Sequence, residues 1–90
     1  MQSLANIAWA FAKAGHSDGE LFAALARVAE VRLDSFKGQE LANTAWAFAT
    51  AGHADTPLFT ALARATEQRL GDFSVQGLTN TAWAFATAGR

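Results

Sequence analysis

The chain has 90 residues, no cysteine and a formal net charge of −1 at pH 7. The missing cysteines exclude disulfides and thiolate metal sites. The near-zero charge argues against strong non-specific attraction of this segment to nucleic acid or to an anionic membrane. The longest apolar run, residues 7–12, is far shorter than the ~20 residues that span a bilayer. We therefore expect no membrane partner.

The sequence repeats itself with a period of 37 residues. The motif LANIAWAFA at residues 4–12 returns as LANTAWAFA at 41–49 and as LTNTAWAFA at 78–86. Residues 4–40 and 41–77 are identical at 23 of 37 positions without a gap. A fixed period in the range of ~20–50 residues indicates a solenoid, in which each repeat packs on its neighbours.

This period predicts how the chain is organised. Residues 1–40 form the first repeat, residues 41–77 form the second, and residues 78–90 form the first helix of a truncated third repeat. We expect an all-α fold, an α-solenoid of helix–turn–helix repeats with five helices. Neither end has the polar outer face of a capping repeat, so we expect one continuous segment of a longer solenoid.

In the second repeat, the first helix is predicted at about residues 39–51. Its apolar residues follow the helical period and share one face: Leu41, Thr44, Ala45, Phe48 and Ala51. Gly52 follows, and a glycine just past the last turn is typical of a helix end.

The second helix is predicted at about residues 56–70. Asp55 is a suitable N-cap, and Pro57 fits the first turn, where its missing N–H has no partner to lose. The predicted apolar face consists of Leu58, Phe59, Leu62, Ala63, Ala65, Thr66 and Leu70. No period-2 alternation persists along the chain, so no strand is predicted.

The opposite face of each first helix carries our candidate binding residues. Side chains spaced i, i+4, i+7 and i+11 lie in one stripe along a helix, and the three stripes are Gln2, Asn6, Trp9 and Lys13; Gln39, Asn43, Trp46 and Thr50; and Gln76, Asn80, Trp83 and Thr87. Stacked repeats would place these stripes side by side. Amides donate and accept hydrogen bonds, and an indole offers a flat stacking surface. This combination suits a nucleobase, and it also suits the backbone of an extended peptide.

Two structural interpretations compete with binding. The repeated Asn can bond to the backbone of the neighbouring repeat, and the repeated Trp can fill the space between adjacent first helices. Positions that vary beside the stripe are typical of a modular reader, although three repeats do not separate this from drift; these positions are Lys13/Thr50/Thr87 and Ile7/Thr44/Thr81.

The charged side chains are interpreted mainly as structural. Arg27 and Arg64 align on the polar face of the second helices, where nearby Glu30 and Glu67 favour a solvated surface over a phosphate site. Two further arginines, Arg32 and Arg69, align nearer the apolar face. We expect their stems to lie across the packing and their ends to reach an aspartate such as Asp34 or Asp72 at a repeat junction.

The two histidines favour a turn over a metal site. His16 and His53 recur in Gly-His-x-Asp turns, but they lie a whole repeat apart and the third repeat has Arg90 instead. The sequence shows no nucleophile–His–acid set, no Gly-rich phosphate loop and no metal-ligand spacing. We therefore expect no enzyme activity, no cofactor or metal, and no small-molecule substrate.

The motif F-x-x-Q-x-L-A-N-T-A-W-A-F-A at residues 36–49 resembles the octotricopeptide and heptatricopeptide repeats, which are 37–39 residues long. These repeats occur in proteins with a RAP domain and in FAST kinase-like relatives, and the resemblance covers essentially the whole chain. It places five residues on the family consensus: Gln39, Leu41, Asn43, Trp46 and Phe48. No RAP domain is present in these 90 residues.

This resemblance implies an α-solenoid that binds single-stranded RNA in mitochondria or chloroplasts. The implied roles are maturation, stability or translation of organellar transcripts. Two alternatives stay open: a protein-interaction solenoid and an architectural piece of an organellar ribonucleoprotein.

Overall fold

The structure, a computed structural model, describes residues 2–15, 18–53 and 55–89, with side chains from residue 4 onward. These residues form five α-helices: α1 (Gln2–Lys13), α2 (Gly19–Arg32), α3 (Gly38–Thr50), α4 (Thr56–Gln68) and α5 (Val75–Thr87). Two 3-10 turns, Leu33–Ser35 and Leu70–Asp72, follow α2 and α4. The described part of the chain contains no strand, so the all-α prediction with five helices is confirmed.

The helix ends follow the predicted sequence signals. Gly52 adopts a φ of 77° after α3, a left-handed conformation that glycine reaches without a Cβ penalty. The Asp55 carboxylate accepts a hydrogen bond from the Leu58 N–H at 2.9 Å and so caps α4. The bounds differ slightly from the prediction: α3 begins and ends one residue earlier, at Gly38 and Thr50, and α4 ends at Gln68, two residues before the 3-10 turn begins.

The helices form two layers. In the first layer α3 lies between α1 and α5 and packs against both. In the second layer α4 packs against α2 and also against α3. Each first helix therefore has one face towards the second layer and another face on the outside of the molecule.

The core consists of the apolar faces that the sequence predicts. Leu41, Ala45 and Phe48 on α3 are each only 1% exposed. Phe22 of α2 meets Phe48 edge-on, with 5.3 Å between ring centroids. One repeat later, Phe59 and Phe85 form the same edge-on pair at 5.2 Å. The contact between second and first helices is thus repeated, as the sequence is.

The prediction that Leu70 belongs to the buried face of α4 is wrong. Leu70 lies in the second 3-10 turn and is 54% exposed, whereas its counterpart Leu33 in the first 3-10 turn is 6% exposed. The first 3-10 turn packs against α4. No described element covers the second 3-10 turn in this way, so the identical residue is exposed.

The junction between repeats is held by Arg69. Its Nε donates to the Asp72 Oδ2 at 3.2 Å, which confirms the expected pairing. Its guanidinium also donates to the Leu33 carbonyl at 3.3 Å and to the Phe36 carbonyl in the preceding repeat. The same expectation is wrong for Arg32, the counterpart of Arg69, which is exposed and makes no side-chain hydrogen bond among the described residues.

Arg27 also links the repeats, which the sequence interpretation missed. It pairs with Glu30 at 3.1 Å, as expected, and in addition donates to the Asp55 carboxylate that caps α4. Its counterpart Arg64 lies exposed.

Candidate functional site

The predicted stripes lie on the outer face of the first layer. On α1, Asn6, Trp9 and Lys13 are exposed, while the side chain of Gln2 lies outside the described part of the chain. On α3, Gln39 and Thr50 are exposed. Three of the remaining stripe residues are half-buried: Asn43, Trp46 and Asn80. The other three, all on α5, are exposed: Gln76, Trp83 and Thr87.

A groove of about 460 Å³ lies where the stripes of α3 and α5 face each other. The stripe amides on its walls are Gln39 and Asn43 from α3 and Gln76 and Asn80 from α5. Residues that sequence reasoning did not select complete the lining: Ala42, Asp72, Ser74 and Gly77. The structure therefore brings together the four amide side chains of two successive stripes.

The four amides have no partner in the described part of the protein. The side chains of Gln39, Asn43, Gln76 and Asn80 make no hydrogen bond there. No buried side-chain polar atom among the described residues is left unpaired, so these amides are accessible to water. The structural interpretation of the repeated Asn, a bond to the neighbouring backbone, is therefore wrong for Asn43 and Asn80.

The lining of this groove includes one position at which the repeats differ. Gly77 lines it, and a Cβ added there would lie 3.9 Å from the Ala42 Cβ and 3.3 Å from the Ser74 Oγ. The equivalent residue on α3 is Glu40, which is 7% exposed.

Glu40 is anchored instead as a helix cap. Its Oε1 accepts the Lys37 backbone N–H at 2.7 Å. Burial acts to raise the pKa of this carboxyl, but the Lys37 hydrogen bond and nearby positive charge together outweigh burial and lower the pKa below its usual value. On α5 the cap is reversed, because the Ser74 hydroxyl accepts the Gly77 N–H at 3.0 Å.

The tryptophans form a second surface beside the groove. Trp9 and Trp46 lie with ring centroids 6.1 Å apart and planes tilted by 38°, so they do pack between first helices. Trp46 is half-buried in this position, whereas Trp9 stays 39% exposed and Trp83, on α5, is 47% exposed. The Lys13 Nζ lies 4.6 Å from the Trp9 ring centroid, a cation–π contact. The rings therefore combine packing with an open stacking face.

The variable position Ile7/Thr44/Thr81 is exposed on α1, where Ile7 is 45% exposed, but it is not available to a ligand on α3 or α5. Thr44 and Thr81 are 1% and 6% exposed, and their hydroxyls donate back to the Glu40 and Gly77 carbonyls at 2.8 Å. The expectation that this position lies beside the stripe as a variable reader is therefore wrong for both threonines. The other variable position, Lys13/Thr50/Thr87, is exposed in all three repeats.

The described histidine belongs to a packed turn. The His53 ring stacks on Phe22 with 4.8 Å between centroids and an interplanar angle of 15°. Among the described residues no group of His, Asp and Glu could hold a metal ion. His16 and Arg90, which entered the sequence argument about this turn, lie outside the described residues.

None of the described helices is both long and apolar enough to cross a bilayer. The chain matches no protein-family model, no curated protein and no solved structure. The candidate site therefore rests on its own geometry.

Proposed function

We propose that the chain is a segment of an α-solenoid that binds single-stranded RNA along the outer face of α1, α3 and α5. The observation that carries this proposal is the set of four unpartnered amides in one groove, Gln39, Asn43, Gln76 and Asn80. A surface amide satisfied by water can exchange that water for the edge of a base at little cost.

The chemistry of this face matches an unpaired base better than a helical duplex. A groove of about 460 Å³ is in the range of ordinary ligand sites, roughly 300–1,000 Å³. Asn and Gln present a donor and an acceptor together, the arrangement that pairs with base edges. The exposed rings of Trp9 and Trp83 supply stacking surfaces, and base stacking on an aromatic ring is tolerant of sequence.

Charge limits how strongly this segment can bind. The groove lining includes the Asp72 carboxylate and no Lys or Arg, while Lys13 is the cation on the stripes. We therefore expect modest affinity in which base contacts outweigh phosphate contacts, and a shallow dependence on salt.

The same charge distribution favours one alternative function, the binding of an extended peptide. A peptide backbone carries amide donors and acceptors and no phosphate, so a neutral amide groove suits it without a basic surface. In that case the chain is a segment of a protein-interaction solenoid or an architectural piece of an organellar ribonucleoprotein.

The cellular part of the proposal rests on the resemblance to octotricopeptide and heptatricopeptide repeats. It assigns the chain to RNA maturation, stability or translation in mitochondria or chloroplasts. Neighbouring repeats of a longer chain are the other proposed partners, and no enzyme activity is assigned.

The experiment is RNA binding by the 90-residue chain, followed by Trp fluorescence with a random single-stranded RNA pool at two salt concentrations. The test variant combines Asn43→Ala and Asn80→Ala, and the control is Gln68→Ala, which removes an exposed amide from α4 in the other layer. Circular dichroism checks that all three proteins keep the same helix content.

We expect the double variant to lose RNA binding and the control to keep it. Absence of binding by the folded parent chain at low salt would overturn the RNA proposal, as would unchanged binding by the double variant. Binding of an extended-peptide pool that requires both Asn residues and ignores salt would establish the alternative.

A further inference from the structure

A second opening lies between α4 and α5, and its walls are apolar. This hollow of about 290 Å³ is lined by Ala63, Thr66, Leu78, Thr81, Ala82 and Phe85. The Thr81 hydroxyl is bonded to the Gly77 carbonyl, so it offers little to a polar ligand. A small-molecule site would be expected to add convergent polar groups, which this hollow lacks.

The sequence repeat identifies what fills such a hollow. Subtracting one period of 37 residues from the lining gives Ala26, Ala29, Leu41, Thr44, Ala45 and Phe48. All six are buried, none above 1% exposure. They lie on α2 and α3, and α4 packs against both helices. Leu58, Phe59 and Leu62 are the buried side chains of α4.

Identical leucines one repeat apart differ in how far they are exposed. Leu41 is 1% exposed and its counterpart Leu78 is 37% exposed. Leu33 is 6% exposed and its counterpart Leu70 is 54% exposed. Both contrasts run in the same direction: α4 packs on the two elements that carry Leu33 and Leu41, and no described helix lies one repeat further on to cover Leu70 and Leu78 in the same way. The open surface therefore resembles, in its residues, the surface on which α4 packs.

We propose that this hollow, bounded by α4 and α5, is a docking site for an amphipathic helix of the α4 type, supplied from outside residues 1–90. The occupant presents Leu-Phe-x-x-Leu on one face, the pattern that Leu58, Phe59 and Leu62 present in α4. Its recognition is of the helix-in-groove kind, with anchors about one turn apart.

A second copy of the chain is not the occupant. The helices with this pattern, α2 and α4, already bury Phe22 and Phe59 to 0% and 1% exposure in their own core. Either helix would have to leave that core before it reached the hollow of another molecule. The site therefore takes a helix whose apolar face is not yet covered.

The test uses the whole chain and a fluorescein-labelled peptide of residues 55–73, blocked at both ends, which carries the α4 sequence without its neighbours. Fluorescence anisotropy should show saturable binding, with a Kd on the order of 10–100 µM because the peptide must fold as it binds. Ala82→Asp places a charge in the hollow at an exposed position, and Thr79→Asp adds the same charge elsewhere on α5.

We expect Ala82→Asp to weaken peptide binding by about tenfold or more, and Thr79→Asp to leave it unchanged. A peptide with Phe59→Ser should also fail to bind. No saturable binding by the folded chain, or equal binding by the Ala82→Asp variant, would overturn the proposal. Sedimentation of the chain alone provides a further check, since a dimer that Ala82→Asp dissociates would assign the hollow to a second copy instead.

Discussion

Two identical leucines one repeat apart should differ in what they contribute to stability. Leu41 and Leu78 occupy the same position on α3 and α5, yet they are 1% and 37% exposed. Replacing either one by Ala changes helix propensity by the same small amount. The difference between the two variants therefore reports the difference in packing.

The expected losses follow from what each side chain leaves behind. Leu41→Ala removes an enclosed side chain and leaves a cavity, which costs about 2.7–5 kcal/mol in well-packed cores. Leu78→Ala enlarges an opening that already faces solvent, so only part of the ~1.5–3 kcal/mol for burying a leucine is lost, roughly 1–1.5 kcal/mol. We expect a gap of about 1.5 kcal/mol or more between the variants.

Urea denaturation followed by circular dichroism measures both variants against the parent chain. A domain of this size has a total stability of only about 5–10 kcal/mol, so a stabilising osmolyte such as trimethylamine oxide should be present at the same concentration throughout. Equal losses, within about 0.5 kcal/mol, would refute the reasoning that α4 encloses Leu41 and that the α4–α5 hollow is open.

Three further predictions concern the junction and the caps. Gly38→Ala should destabilise the chain by about 1–3 kcal/mol because the new Cβ would lie 2.5 Å from a backbone carbonyl oxygen. Gly77→Ala should cost less in the same denaturation assay, because its nearest contact is the Ser74 Oγ at 3.3 Å. The reverse order would contradict the close approach at Gly38. The pKa of Glu40 is lowered in the folded state, so its charged carboxylate stabilises the fold above the unfolded-state pKa of about 4.3. This stabilisation is lost as the pH falls through the lower folded-state pKa, and Glu40→Gln should therefore reduce the acid-induced loss of stability. An unchanged dependence of stability on pH would count against this. Arg69→Met should lower the free energy of unfolding by about 1–3 kcal/mol because two carbonyls and a carboxylate lose their donor. Arg32→Met should change it by no more than about 0.5 kcal/mol. Similar melting temperatures for the two variants would show that the junction contacts add nothing to stability.

The sequence predicted the helices well because their signals are local. Gly52 and Asp55 mark where α3 ends and α4 begins, and these signals depend only on neighbouring residues. The apolar period likewise identified Leu41 and Phe48 as core residues, and both are buried.

The parts that failed depend on contacts far along the chain. Leu70 follows the apolar period of α4, but burial requires a covering element, and periodicity does not show whether one is present. Thr44 was assigned both to the apolar face and to the variable surface, and its 1% exposure excludes the second role. The groove could not be predicted either, because Asp72 and Ser74 reach it only through the packing of α5 on α3.

The two faces of the first helices have separate physical roles. The face with Leu41, Ala45 and Phe48 supplies burial, which is the main source of stability. The side-chain amides of Asn43 and Asn80 bond to no described residue, so they add no hydrogen bond to the folded state. Stability therefore does not explain why an amide recurs with the same period as the buried leucines. We propose that this recurring amide serves a ligand that is itself repetitive, with one unit for each repeat, such as a single-stranded polynucleotide.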